Sequence, residues 1–197
     1  MRIHLATGNA HKVREFSALA RAGRSEVEVV APAAMPAVAE DTGTFTGNAR
    51  KKAVALKAQL PPDAWVLADD SGLCVDAIGG APGVESAYYA GQAGDGAANL
   101  AKLVRVMRGV PEENRGAYFV CVLVLLPGGS AAEHVFEGQC AGRLRAEPAG
   151  GAGFGYDPLF VPAGRAETYA ELDEAVKNAL SHRAQAWRRL EEWLRGR

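Results

Sequence analysis

Apolar positions along this chain recur with two periods. Ile3, Leu5 and Ala6 mark a short buried strand over residues 3–6. From Ala10 to Ala22, Val13, Phe16, Leu19 and Ala20 fall on one face of a helix that Gly23 ends. Val27–Val30 is a second strand, followed by an Ala/Pro loop over residues 31–39. Ala49, Ala53 and Leu56 stripe a helix from about Thr46 to Leu60, with Pro61 and Pro62 stopping it. Trp65–Ala68 then predicts a buried strand ending in Asp69-Asp70-Ser71-Gly72.

A Gly-rich irregular connection covers residues 79–96. Leu100, Leu103, Val104 and Met107 mark an amphipathic helix after it. Ala117–Leu126 is apolar on both faces, as in a central strand. Residues 133–138 and 140–146 predict two more strands. Tyr169, Leu172, Val176 and Leu180 predict a helix over residues 168–180. A last helix starts near Ser181, a good N-cap, and buries Trp187, Leu190 and Leu194. The pattern is α/β with a mixed sheet flanked by helices: parallel βα units first, an antiparallel ribbon in the middle. No linker divides it, so residues 1–197 read as one domain of two lobes around a cleft.

Composition narrows the function. With 48% hydrophobic and 23% charged residues this is an ordinary globular composition. A net charge of -1 supplies no global field for holding nucleic acid or an anionic membrane, so any bound anion needs a local basic cluster. The longest apolar run, Val120–Leu126, is strand-sized, and the N-terminal one is too short for a signal peptide. Cys74, Cys121 and Cys140 are odd in number and lack CxxC spacing, which argues against a disulfide framework and for a reducing cytoplasm. Cys121, inside an apolar run, reads as a buried thiol.

Several segments carry candidate chemistry. Thr7-Gly8-Asn9-Ala10-His11-Lys12 joins strand to helix, where free N–H groups attract phosphate and Gly8 permits close approach. Lys12 opposes the helix dipole there, which makes sense beside a bound anion; an ordinary N-cap with a solvated lysine is the alternative. Asp69 and Asp70 are adjacent carboxylates, hard oxygen donors suited to Mg²⁺ unless they merely form a turn. Glu40 could add a third. Lys52 flanks the buried stripe of its helix whereas Lys51 points away, so Lys52 is the functional candidate. Phe154, between glycines in Phe154-Gly155-Tyr156-Asp157-Pro158, either stacks on a base or packs on the core. Lys177-Asn178-x-x-Ser181-His182-Arg183 puts two cations at the start of a helix, against the dipole, and Arg183 suits forked bonds to phosphate or a purine edge.

Taken together these segments, with Thr44-Phe45-x-x-Asn48-Ala49-x-x-Lys52-Ala53 and Gly79-Gly80-Ala81-Pro82-Gly83-Val84, resemble the inosine triphosphate pyrophosphatase (XTP/dITP diphosphatase) family over residues 6–183. The resemblance implies an elongated mixed α/β fold, an active site in a cleft between lobes and a homodimer. It implies Mg²⁺-dependent hydrolysis of ITP, dITP and XTP to monophosphate and pyrophosphate. By position, Asp70 is the general base and Glu40 and Asp70 hold the metal. Thr7, Gly8, Asn9, Lys12, Lys52 and Lys177 clasp the triphosphate, and Ser71 touches substrate. Phe154, Gly155, Tyr156 and Asp157, with His182 and Arg183, form the nucleoside pocket. Two positions depart from the family pattern: Tyr88 in place of an arginine and Gly47 in place of a glutamate. Two other readings stand beside this one. A module that binds nucleotide or RNA without hydrolysis is disfavoured by the carboxylates. A Maf-like pyrophosphatase for other nucleotides is disfavoured by the Lys-Asn-x-x-Ser-His-Arg segment.

Overall fold

Helical and strand periods resolve into one six-stranded sheet and, among the described residues, five α-helices. The computed structural model describes residues 1–23, 26–91 and 94–197; residues 92 and 93 of the expected Gly-rich connection lie outside them. In chain order the elements are β1 (Arg2–Leu5), α1 (Ala10–Ala22), β2 (Glu28–Val30), α2 (Phe45–Lys57), β3 (Trp65–Val75), α3 (Gly96–Val106), β4 (Gly116–Leu126), β5 (His134–Leu144), β6 (Phe160–Pro162), α4 (Glu174–Leu180) and α5 (His182–Arg195). The strand order is β2-β1-β3-β4-β5-β6. β1 runs parallel to β2 and β3, with Ile3 opposite Val29 and Trp65, and β5 runs antiparallel to β6. The mixed α/β fold read from the residues is therefore the observed one. No helix among the described residues is long and apolar enough to cross a membrane.

The chain forms two compact units. The first comprises Met1–Asp70, Cys121–Gly138 and His182–Arg197. Its strands bury both faces. Ile3, Leu5, Leu67, Cys121 and Leu123 pack with Phe16 of α1 and with Trp187 and Leu190 of α5. Ala6, Val66, Ala68 and Val124 pack with Ala49, Ala53 and Leu56 of α2. Because successive strand residues point to opposite faces, Trp65 and Leu67 of β3 meet α1 and α5 while Val66 and Ala68 meet α2. Gly138 of β5 lies against the backbone of α5: a Cβ there would come within 2.2 Å of the His182 carbonyl oxygen and 2.4 Å of the Ala186 nitrogen. The second unit, Ser71–Val120 and Gln139–Ser181, centres on Leu73, Leu103, Met107, Phe119, Phe160 and Tyr169. There the Phe119 ring stacks on Tyr169 at 5.8 Å and meets Phe160 edge-on at 4.8 Å.

Four element boundaries differ from expectation, each through tertiary contacts. α2 stops at Lys57, short of Leu60, because Gln59 and Leu60 donate to Leu56 and Lys57 in tight i→i+3 turns. The Lys57 ammonium then gathers the Pro62 and Ala64 carbonyls that lead into β3. β3 does not end at Asp69-Asp70; it continues to Val75, since Leu73, Cys74 and Val75 are buried. The two strands expected over residues 133–146 are one, β5, whose alternation of Phe136, Gly138 and Cys140 inward persists through the expected break. α4 begins at Glu174, not residue 168, because Tyr169 donates its N–H to Phe160 and the Thr168 hydroxyl to Ala149, holding that stretch as a turn.

Candidate active site

The long β3 decides what its two aspartates can do. Asp69 and Asp70 are consecutive on an extended strand, so they leave it on opposite faces. They do not share one cation, as their adjacency suggested. Each has its own set of partners within the first unit.

Asp69 faces α1 and α5 and is fully buried. It pairs with the Lys12 ammonium and stands 3.7 Å from Arg183 Nε, while Cys121 donates its thiol proton to Asp69 Oδ2 at 3.1 Å. Arg183 also donates to Glu15 Oε2 at 3.0 Å. Burial pushes the Asp69 carboxyl up, but Lys12, Arg183 and Lys52 outweigh it and hold the group well below the usual carboxylate range. Burial, then the Asp69 charge, pushes the Cys121 thiol up, so it stays protonated as a donor. Local sequence builds this cluster. Asn9 caps α1, its side-chain oxygen accepting the N–H groups of His11 (2.9 Å) and Lys12 (3.3 Å), with Thr7 Oγ1 bracing Asn9. Those two N–H groups, expected to wait for phosphate, are thus committed to the cap. A Cβ at Gly8 would lie 3.9 Å from Met35 Cβ, in ordinary van der Waals contact. His182 is buried in the first turn of α5, beside Arg183.

Asp70 faces α2. Its Oδ1 accepts from Lys52 Nζ at 3.2 Å, and the same ammonium donates to Glu40 Oε2 at 2.8 Å. Asp70 Oδ2 is buried with no hydrogen-bond partner among the described residues. Burial chiefly raises the Asp70 pKa to about 6; Lys52 and Lys12 pull it down, while Glu40 and Asp69 push it further up. Burial disfavours the charged Lys52, yet Asp70, Asp69 and Glu40 together raise its pKa. Lys51, by contrast, is exposed and pairs with Asp41 at 2.6 Å. Among the described residues no group of three His, Cys, Asp or Glu side chains forms. Glu40 and Asp70 meet around the Lys52 ammonium.

The profile of the Ham1 family matches residues 3–193. The chain belongs to that family. The dITP/XTP pyrophosphatase of Opitutus terrae is 59% identical over 202 residues, 99% of each chain. That of Geobacillus kaustophilus is 48% identical over 192 residues, covering 96% of this chain and 92% of its own. Among solved structures, the Ham1 protein of Coxiella burnetii superposes with a TM-score of 0.85 at 35% identity, covering all of both chains. The Staphylococcus aureus Ham1 protein gives 0.83 at 33% identity, covering 100% of this chain and 99% of the other.

The second unit of this Ham1 chain gathers the remaining motif residues. Asp157 Oδ2 accepts the Phe154 N–H at 2.8 Å and the Lys177 ammonium at 2.7 Å. Lys177 Nζ lies 5.3 Å from the centroid of the Phe154 ring and 5.7 Å from that of Tyr169. Gly153 at φ 75° and Gly155 at φ 60° let this loop turn. Tyr156 is a core residue whose hydroxyl donates to the Ser86 carbonyl at 2.9 Å. Ser71, next along β3 from Asp70, is half-buried. Three participants carried no motif signal: Glu15, Cys121 and Tyr169. Only Glu15 was within reach of the pattern, since it follows Lys12 by three positions and so shares a side of α1.

Gly47, one of the two departures, fits its surroundings closely. A Cβ at this position would meet Thr42 Oγ1 at 2.4 Å and Thr44 Oγ1 at 2.8 Å. Thr44 caps α2 through the Gly47 N–H, and Thr42 donates to Asn48 Oδ1 at 2.8 Å, so threonines fill the room a glutamate stem would need. Nothing in the structure explains Tyr88.

Proposed function

We propose that this Ham1 chain hydrolyses dITP, XTP and ITP to the monophosphate and pyrophosphate, as an Mg²⁺-dependent cytoplasmic homodimer. The observation that carries the reading is Asp70: a buried carboxylate with a raised pKa, a second carboxylate nearby and one oxygen left without a partner. Mg²⁺ keeps most of its waters and binds through one or two carboxylates plus substrate phosphates, so Glu40 and Asp70 fit it without a third ligand. When bound, Mg²⁺ supplies charge neutralisation and an acidified water.

The chain's own residues do the rest. Lys12, Lys52 and Lys177 offset the triphosphate charge, with Thr7, Gly8, Asn9 and Ser71 alongside. Asp70, poised near neutrality, accepts a proton from the attacking water. The water oxygen bonds to the α-phosphorus, the bond from that phosphorus to the bridging oxygen breaks, and pyrophosphate leaves. Phe154, Gly155, Tyr156, Asp157, His182 and Arg183 hold the nucleoside. The Lys177–Asp157–Phe154 chain of contacts fixes the loop that presents the aromatic ring.

The test is pyrophosphate release from dITP, XTP and ITP against ATP and GTP, with Mg²⁺ and with chelator. We expect release from the first three only, and only with metal. In Asp70→Asn turnover should fall by about 10²-fold or more, with nucleotide still bound. Nucleotide binding without release in the wild type would instead support a binding module.

A further inference from the structure

A lysine occupies the place where the proposed function needs a metal. Lys52 Nζ lies 2.8 Å from Glu40 and 3.2 Å from Asp70, and only 9% of the residue is exposed. A divalent ion drawn to the same two carboxylates would meet this ammonium at contact range, where like charges repel strongly. We propose that Lys52 is a displaceable counter-ion: in the nucleotide-free enzyme it holds Glu40 and Asp70 together, and it moves to the triphosphate when the metal takes its place, so that metal and nucleotide strengthen each other's binding.

Three features support the exchange. Asp70 Oδ2 is buried without a partner among the described residues, so one coordinating oxygen is open before the lysine leaves. Lysine is a compact charge on a flexible stem with three donors, suited to swapping a carboxylate for a phosphate without rebuilding a forked geometry. The site also differs from its neighbours. Lys12 is tied to Asp69, which Arg183 and Cys121 also approach, and Lys51 pairs with Asp41 in solvent. Lys52 stands between the two carboxylates that the reaction needs. Because coupling between two ligands is reciprocal, whatever factor nucleotide adds to metal affinity, metal adds to nucleotide affinity.

The inference rests on the Mg²⁺ reading, and the experiment separates the two. Mn²⁺ binding to the full chain is measured by electron paramagnetic resonance at about pH 8, where the carboxylates are ionised, with and without α,β-imido-dITP, which resists cleavage. In the wild type, the analogue should tighten Mn²⁺ binding by about tenfold or more. Lys52→Met should bind Mn²⁺ alone roughly tenfold more tightly than the wild type and lose most of the gain from the analogue. Lys52→Gln repeats the test if Lys52→Met does not fold, and Glu40→Gln should lose metal in either background. If Lys52 variants bind Mn²⁺ no more tightly while Glu40→Gln still abolishes binding, the counter-ion role is wrong and the metal site stands. If no form binds Mn²⁺, both fall.

Discussion

Neighbouring aspartates on one strand should give opposite results when neutralised. In Asp69→Asn, Lys12 and Arg183 lose the carboxylate that draws both into the interior, while Glu15 still pairs with Arg183. Removing one member of a buried ionic network costs about 3–5 kcal/mol. At roughly 2–4 °C per kcal/mol for a chain of this size, the melting temperature should fall by about 6–20 °C. Asp70 is the reverse case. Its pKa lies near 6 instead of the ordinary 3.8, so above that pH the ionised group disfavours folding. At about 1.4 kcal/mol per unit this is on the order of 3 kcal/mol, with the attraction of Lys52 already counted. Asp70→Asn should therefore melt at or above the wild-type temperature while losing turnover. The assay is thermal unfolding at about pH 8 in chelator, followed by circular dichroism, with turnover measured separately. Equal losses of stability in the two variants would refute the assignment of these residues to opposite faces with opposite duties.

The same linkage predicts a pH dependence. Asp70 has a raised folded-state pKa, so stability present below its ordinary 3.8 is lost as pH rises toward 6; the metal-free wild type should lose stability over that window relative to Asp70→Asn, and parallel curves would contradict it. Gly138→Ala should cost about 1–3 kcal/mol and reduce turnover, because a Cβ would strike the backbone at His182 and Ala186, where α5 presents Arg183; unchanged melting would show that α5 can retreat. Gly153→Ala should raise KM about tenfold with a smaller effect on kcat, since a side chain at φ 75° is strained and its Cβ would lie 2.1 Å from Asp157 Oδ2, the anchor of Lys177 and Phe154; an unchanged KM would remove that anchor from nucleotide binding.

Much of this was legible in residue order, because α1, α3, α5 and β4 obey their periods over ten or more positions and packing agrees with them. The distinction between Lys51 and Lys52 was legible for the same reason: a stripe of three apolar residues defines which lysine must be buried, and Lys52 is buried while Lys51 is exposed. What stayed hidden depends on contacts between distant segments. The end of α2 is set by Lys57 gathering the Pro62 and Ala64 carbonyls, and the start of α4 by Tyr169 bonding to Phe160. Cys121 read as core filler because nothing in an apolar run reveals a carboxylate across the sheet. The separation of Asp69 from Asp70 was hidden by strand length alone. Ending β3 at Ala68 left both in a turn, where they could converge; extending it to Val75 imposes the two-residue period that parts them.

That parting also gives the two faces of β3 different sets of charges. Around Asp69 the carboxylates of Asp69 and Glu15 meet the cations of Lys12 and Arg183, and a thiol donor lies against Asp69. Charge is balanced there, and such a cluster holds α1 and α5 in place. Around Asp70 two carboxylates meet the Lys52 ammonium, and one buried oxygen of Asp70 has no hydrogen-bond partner among the described residues. Above its pKa this face carries a surplus negative charge in a poorly solvated setting, which would repel a triphosphate. In the proposed exchange a divalent ion in place of Lys52 would neutralise the two carboxylates and leave the ammonium for the phosphates. The Asp70 side of β3 thus offers the two carboxylates proposed to hold the metal, while on the Asp69 side Lys12 and Arg183 already meet Asp69 and Glu15.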